Sequence, residues 1–166
     1  MTQKQRQSTK KRIFIVDDHP IVREGLITII NHEKDFEVCG EADEAREAFK
    51  AISGLKPDVV IVDISLKNSD GIELTKHLKA RYPTLSVIVL SIHDEFTYAE
   101  RALHAGAQAY LMKEVVSENI VTAIRTVLSG EIYVSNTMGK KMLRKLAAGK
   151  ADTMSAPMDS LSDREL

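Results

Sequence analysis

A chain of 166 residues accommodates one domain of ordinary size plus extensions, and its 43% hydrophobic content allows a sizeable buried core. A formal net charge of -1 exerts no overall pull towards nucleic acid or membrane. The one cysteine, Cys39, excludes an intramolecular disulfide, and no apolar run reaches the ~18 residues of a membrane span.

The amino terminus, basic from Lys4 to Arg12, lacks the apolar stretch of a signal peptide, so a cytoplasmic location is expected, with residues 1–11 as a solvated tail. The first apolar run, Ile13–Asp17, reads as a strand. Pro20 suits the first turn of a helix that aligns Val22, Gly25, Leu26, Ile29 and Ile30. Phe36–Gly40 is a second strand, and Asp43 can cap a helix burying Ala45, Ala48, Phe49 and Ile52. The third strand, Asp58–Ile64, is continuously apolar through Val59, Val60, Ile61 and Val62, the mark of a strand covered on both faces. A helix from about Gly71 to Arg81 stops before Pro83. Ser86–Leu90 repeats the continuous pattern. It precedes a helix with Phe96, Ala99 and Leu103 that ends near Gly106 in a left-handed cap. Ala109–Met112 is the fifth strand. The next helix starts at Ser117, aligns Ile120, Ala123, Ile124, Val127 and Leu128, and stops at Gly130.

Strand then helix, five times over, predicts a doubly wound, flavodoxin-like α/β sandwich with a parallel sheet in the order 2-1-3-4-5. Beyond Tyr133, the spacing of Met138, Met142, Leu143 and Leu146 predicts a sixth, amphipathic helix, with Lys140, Lys141, Arg144 and Lys145 as its basic outer face. Residues 147–160 read as linker. The segment Leu161-Ser162-Asp163-Arg164-Glu165 contains a capping box, Ser162 and Glu165, with Leu161 as a staple. A helix start without its helix predicts that the chain was cut from something longer. The expected organisation is a tail at 1–11, the principal domain at 12–132, a linker helix and linker at 133–160, and the beginning of another domain at 161–166.

Ligands of parallel α/β sheets bind outside the carboxyl ends of the strands. There the sequence places Asp17 and Asp18 after the first strand, Asp63 at the third, Ser91 after the fourth and Lys113 after the fifth. In the order 2-1-3-4-5 the first and third strands are neighbours, which joins Asp17 and Asp18 to Asp63. Two carboxylates 4 Å apart repel by about 4 kcal/mol at an effective dielectric of 20, and Lys113 neutralises one charge at most. Magnesium suits the remainder, because it binds through one or two carboxylates and keeps water and phosphate oxygens in its shell. A carboxylate nucleophile beside such a site points to phosphoryl transfer through an aspartyl phosphate.

The motifs Ile13-Phe14-Ile15-Val16-Asp17-Asp18-His19-Pro20, Val60-Ile61-Val62-Asp63 with Asp70-Gly71, Leu90-Ser91 and Tyr110-Leu111-Met112-Lys113 resemble the receiver domain of bacterial two-component response regulators. The resemblance covers about residues 11–132. Asp17-Asp18-His19-Pro20 and Gly106-Ala107-Gln108-Ala109-Tyr110 are similar to the NarL/FixJ/LuxR-type branch, and 161–165 resembles the opening of its helix-turn-helix domain. The resemblance implies that Asp63 is the phosphoacceptor. It implies Asp18 as a direct magnesium ligand, Asp17 as a partner through water, and the backbone carbonyl of Ser65 as the third protein ligand. Lys113 would pair with the phosphoryl group, Ser91 would move to hydrogen-bond it, and Tyr110 would turn inward in response. The implied partner is a sensor histidine kinase; a homodimer is left open. DNA would be reached only through the missing carboxyl-terminal domain, in transcription regulation, and no membrane is involved. The domain would not be an enzyme beyond magnesium-dependent self-phosphorylation, from phosphohistidine or small phosphodonors, and autodephosphorylation. Glu114 stands after Lys113 where most receivers have proline, and Ser65 and His93 fill two variable positions that influence dephosphorylation in the family.

A metal-dependent phosphohydrolase would need a second acid two residues after the nucleophile, where Ser65 stands. A receiver-like interaction domain that is never phosphorylated usually lacks an acidic or lysine position, and here none is lost. A flavin-binding domain of this fold would need a phosphate-cradling loop after the first strand, where this sequence instead has Asp17 and Asp18, which would repel phosphate. His19 reads as the start of the first helix rather than a metal ligand, because a lone histidine lacks the clustered spacing of a ligand set.

Overall fold

A computed structural model describes residues 9–93 and 96–149 of the chain. Strands and helices alternate as β1 (Lys11–Val16), α1 (Pro20–His32), β2 (Phe36–Ala42), α2 (Ala45–Leu55), β3 (Val59–Asp63), α3 (Gly71–Arg81), β4 (Ser86–Ser91), α4 (Phe96–His104), β5 (Ala109–Met112) and α5 (Val116–Leu128). The five strands form one parallel sheet in the order β2-β1-β3-β4-β5, the flavodoxin-like arrangement expected from the alternation.

The continuous apolar runs have the predicted cause. Ile13, Ile15, Val59, Ile61, Ile88 and Leu90 share one buried cluster with Leu26 and Ile30 of α1 and Ile120, Ala123, Ile124 and Val127 of α5. The intervening residues, Phe14, Val16, Val60, Val62, Val87 and Val89, are equally buried and lie outside that cluster, on the opposite face. Each fully buried aliphatic side chain contributes roughly 1.5–3 kcal/mol against exposure, so the central strands anchor the fold from both sides. Val16 pairs with Val62 in register. The next residue on β1's path, Asp17, therefore emerges beside Asp63 at the same rim.

Local chemistry sets the element ends. Asp70 caps α3, its Oδ1 accepting the Ile72 N–H at 2.8 Å. Gly71 lets α3 start directly against β3: its N–H donates to the Ile64 carbonyl, and a Cβ there would overlap the carbonyl oxygen of Asp63. Gly106, with φ of 108°, closes α4 as expected. Ala45 and Phe49 of α2 are half-buried where the sequence predicts burial, and two further details differ from the sequence reading. Glu44, not Asp43, precedes the first residue of α2 and makes no side-chain cap; the Ala45 N–H instead donates to Ser69 Oγ, a partner from the β3–α3 loop. Gly25 is exposed on α1, whose buried edge is Leu26 and Ile30. After α5 the chain returns to the outer edge of β5, where the Tyr110 N–H donates to the Tyr133 carbonyl and the Tyr133 N–H to Gln108.

The chain divides into two compact units between Tyr133 and Val134. In the second unit a helix spans 136–149, in which Met138 is buried, Met142 half-buried, and Leu143 and Leu146 exposed. The first residues of the expected linker, 147–149, belong to this helix instead; the rest through Ser160 and the capping box at 161–165 lie outside the described residues. Among those described, no helix is long and apolar enough to cross a membrane.

Candidate functional site

The carboxyl ends of β1, β3 and β5 bring Asp17, Asp18, Asp63 and Lys113 together at one rim of the sheet. Asp17 and Asp63 are buried although both are acidic, and they are the only buried acids among the described residues. Each is held by the turn that follows its strand. Asp17 Oδ1 accepts the His19 N–H at 2.8 Å, and Arg23 donates to the Asp17 carbonyl. Asp63 Oδ1 accepts the Ser65 N–H at 3.0 Å. Lys113 opens a single 3-10 turn, Lys113–Val115, and reaches back over the rim. Its Nζ lies 2.9 Å from Asp63 Oδ2 and 2.9 Å from Asp17 Oδ2.

Three carboxylates against one ammonium leave the pocket two negative charges in excess. Burial raises the Asp63 pKa, and the nearby Asp17 charge adds to it, while Lys113 and the Ser65 N–H pull the other way. For Lys113, burial works to lower the pKa, but the carboxylates of Asp17 and Asp63 outweigh it and the ammonium is held above its ordinary value. The lysine is thus a fixed positive charge beside a carboxylate whose basicity is increased, a pairing suited to a nucleophile that must approach an anionic group.

Two buried carboxylate oxygens are met by ion-pair contacts alone, Asp17 Oδ2 by Lys113 Nζ at 2.9 Å and Asp18 Oδ1 by His19 Nδ1 at 3.0 Å, so neither has its lone pairs fully taken up. Asp17, Asp18, His19 and Asp63 each offer a ligand atom, all within 4.8 Å of one another. An excess of two negative charges, unsatisfied buried oxygens and a convergent oxygen-rich donor set fit a divalent cation.

His19 is the member that sequence reasoning missed. It precedes Pro20 as expected, yet its ring turns into the cluster, with Nδ1 2.9 Å from Asp17 Oδ1, 3.0 Å from Asp18 Oδ1 and 3.2 Å from Lys113 Nζ. The available signal was its place directly after the two aspartates.

Ser91 and Tyr110 come together at a different point. Both are buried, and both hold the backbone of His93. Ser91 Oγ accepts the His93 N–H at 2.8 Å, and the Tyr110 hydroxyl donates to the His93 carbonyl at 2.5 Å. The His93 ring stacks on Tyr98, with centroids 4.5 Å apart. Ser65 enters the site through its N–H to Asp63.

The family model for the response regulator receiver domain matches residues 13–125. The chain belongs to that family: it is a receiver domain of the two-component response regulators. Its relatives are of the NarL/LuxR type. It is 34% identical over 136 residues to the transcriptional regulatory protein DegU of Brevibacillus brevis, covering 82% of this chain and 58% of that protein. It is 32% identical over 155 residues to the response regulator GacA of Pseudomonas viridiflava, covering 93% and 72%. A solved LuxR-family response regulator from Aurantimonas sp. SI85-9A1 superposes with a TM-score of 0.78 at 31% identity, covering 84% of this chain and 99% of that one. The chain therefore spans somewhat over half the length of DegU and about seven-tenths that of GacA.

Proposed function

We propose that Asp63 is the phosphoacceptor of this receiver domain, and that its phosphorylation by a sensor histidine kinase switches a LuxR-type DNA-binding domain in transcription regulation. The observation that carries this reading is the shared contact of Lys113: one ammonium, 2.9 Å from Asp63 Oδ2, stands where it would also meet a phosphoryl oxygen on that carboxylate. Attack by an Asp63 oxygen forms an O–P bond while the N–P bond of the donor phosphohistidine breaks and its imidazole departs. Asp63 brings an oxygen already oriented by the Ser65 N–H. Lys113 brings charge complementary to the incoming group. Asp18 and Asp63, with the Ser65 carbonyl and with Asp17 through water, would hold magnesium, which supplies charge neutralisation for the transferred group. The domain acts as its own phosphotransfer catalyst and as no other enzyme, and it works in the cytoplasm.

Ser91 and Tyr110 are the proposed switch pair. Because both grip the His93 peptide, a rotation of Ser91 towards Asp63 gives up the His93 N–H and frees the loop that Tyr110 also holds. The domain boundaries that go with this reading are 12–132 for the receiver and 133–160 for the linker helix and linker.

The test is incubation with acetyl phosphate, with and without magnesium, followed by intact-mass measurement. Addition of one phosphate only in the presence of magnesium is expected. A chain that stays unmodified under both conditions refutes the reading and favours a phosphorylation-independent interaction domain.

A further inference from the structure

His19 is the residue preceding α1, and its backbone is extended, with φ of -97° and ψ of 107°. A residue at this position commonly turns its side chain back to cap the helix. His19 does not: it makes no side-chain cap, and Pro20 removes one of the N–H groups that would need one. Its own N–H is spent on Asp17 Oδ1, and this short turn swings the imidazole into the acidic pocket. There Nδ1 lies 2.9 Å from Asp17 Oδ1, 3.0 Å from Asp18 Oδ1 and 3.6 Å from Asp63 Oδ2. Ligands each about 2.1 Å from one cation are separated by about 3 Å in octahedral geometry and by about 3.4 Å in the tetrahedral geometry of zinc. The spacings from His19 Nδ1 to Asp18 Oδ1 and Asp63 Oδ2, 3.0 and 3.6 Å, span that range, while the ring also hydrogen-bonds Asp17 Oδ1. Asp17 Oδ2 and Asp18 Oδ1 are buried and are met by ion-pair contacts alone, with Lys113 Nζ at 2.9 Å and His19 Nδ1 at 3.0 Å, which leaves lone pairs on both for a cation.

We propose that His19 Nδ1 is a ligand of the cation site and converts it from an all-oxygen site into a mixed nitrogen–oxygen one. Such a site binds an imidazole-preferring divalent transition ion, of which zinc is the probe, in competition with magnesium. The inference deepens the reading of the acidic cluster as a cation site and rests on it. Magnesium demands oxygen ligands and gains little from an imidazole, whereas zinc takes neutral imidazole together with carboxylates. His19 therefore sets which ion the pocket prefers without being needed for magnesium. Its side chain is more than half exposed, so its replacement leaves the core untouched.

The test is calorimetric titration of the full chain with zinc and, separately, with magnesium, in the wild type, His19→Ala and Asp18→Asn. The His19 ring resonances are followed by NMR in the wild type as zinc is added. The expected result is zinc binding weakened at least roughly tenfold in His19→Ala, magnesium binding changed less than about threefold, and direct ring shifts at His19 on zinc addition. Equal weakening of both ions in His19→Ala would overturn the inference, since the ring would then merely position the carboxylates. Unchanged zinc binding, or silent His19 resonances, would overturn it as well. Failure of the underlying reading looks different: Asp18→Asn would leave both ions bound as in the wild type.

Discussion

Lys113 Nζ and Asp63 Oδ2 are 2.9 Å apart, and the same ammonium stands 2.9 Å from Asp17 Oδ2. One cation thus balances the two acids buried deepest in the rim. Removing it leaves both uncompensated. Lys113→Ala is expected to lower stability at pH 7 by about 3 kcal/mol, the scale of a broken buried ion pair, with the loss partly restored by millimolar magnesium. The folded-state pKa of Lys113 is raised. Its contribution is therefore complete below the ordinary value of 10.5 and is lost as pH rises through the higher folded value, so the gap to wild type should narrow only in strong alkali. Urea denaturation across pH measures this.

Asp63→Asn should move stability the opposite way. The folded-state pKa of Asp63 is raised, chiefly by burial. Its favourable contribution is present below the unfolded value of 3.8 and is lost as pH rises through the folded value, so ionised Asp63 costs stability at neutral pH. The amide keeps the shape and removes the charge, while Lys113 retains Asp17. A rise in Tm of a few degrees at pH 7, about 1 kcal/mol, is expected in thermal melts, vanishing near pH 3. A lower Tm at neutral pH would contradict the charge-repulsion account.

Gly71→Ala tests the join between α3 and the site. The added Cβ would overlap the Asp63 carbonyl oxygen and sit 2.8 Å from Ile64 Cα, both backbone atoms that cannot swing aside. A loss of about 2 kcal/mol is expected, within the usual cost of overpacking. NMR should show Asp63 and Ser65 amide shifts that a remote alanine substitution on α3 does not produce.

Arg125 of α5 binds Asp35 through two hydrogen bonds of 2.6 and 3.2 Å, reaches Glu33 at 3.1 Å, and lies 4.6 Å above the Phe36 ring. The Asp35 pKa is lowered, first by the hydrogen bonds from Arg125. Its contribution is present above the unfolded value of 3.8 and is lost as pH falls through the lower folded value. Arg125→Ala should reduce Tm at neutral pH and low salt. The difference should shrink in 1 M salt, and again in acid below about pH 4 as Asp35 protonates.

Tyr110→Phe removes the donor to the His93 carbonyl and should cost about 1 kcal/mol of stability. The informative readout is beryllofluoride titration followed by NMR. In the wild type the Ser91, His93 and Tyr110 amides should shift together. In Tyr110→Phe the His93 shift should uncouple from that of residue 110, and concerted shifts of unchanged size would argue against a shared grip on the His93 peptide.

The fold was legible because its strongest physical term is written in continuous apolar runs. Val59–Val62 and Val87–Leu90 have no polar face to give to water, and only a doubly covered parallel sheet accepts them. The gathering of Asp17, Asp18, Asp63 and Lys113 followed from strand ends plus strand order, since in-register pairing of Val16 with Val62 leaves little freedom at the rim. What could not be read depended on torsions and on long-range partners. The His19 ring enters the pocket because an extended backbone angle and one bond to Asp17 turn it there. The first N–H of α2 finds Ser69, 24 residues away, which no local capping rule anticipates at Asp43. Ser91 lies on the expected strand end, but its bond to the His93 N–H is a property of loop geometry rather than of residue order.

Chemical mapping of the phosphorylated residue tests the central claim most directly. The chain is treated with acetyl phosphate and magnesium, reduced with borohydride to convert an acyl phosphate to homoserine, and sequenced by tandem mass spectrometry. Homoserine at position 63 alone is predicted. Homoserine at another aspartate, or a phosphate that resists borohydride because it is not on a carboxylate, would contradict the assignment.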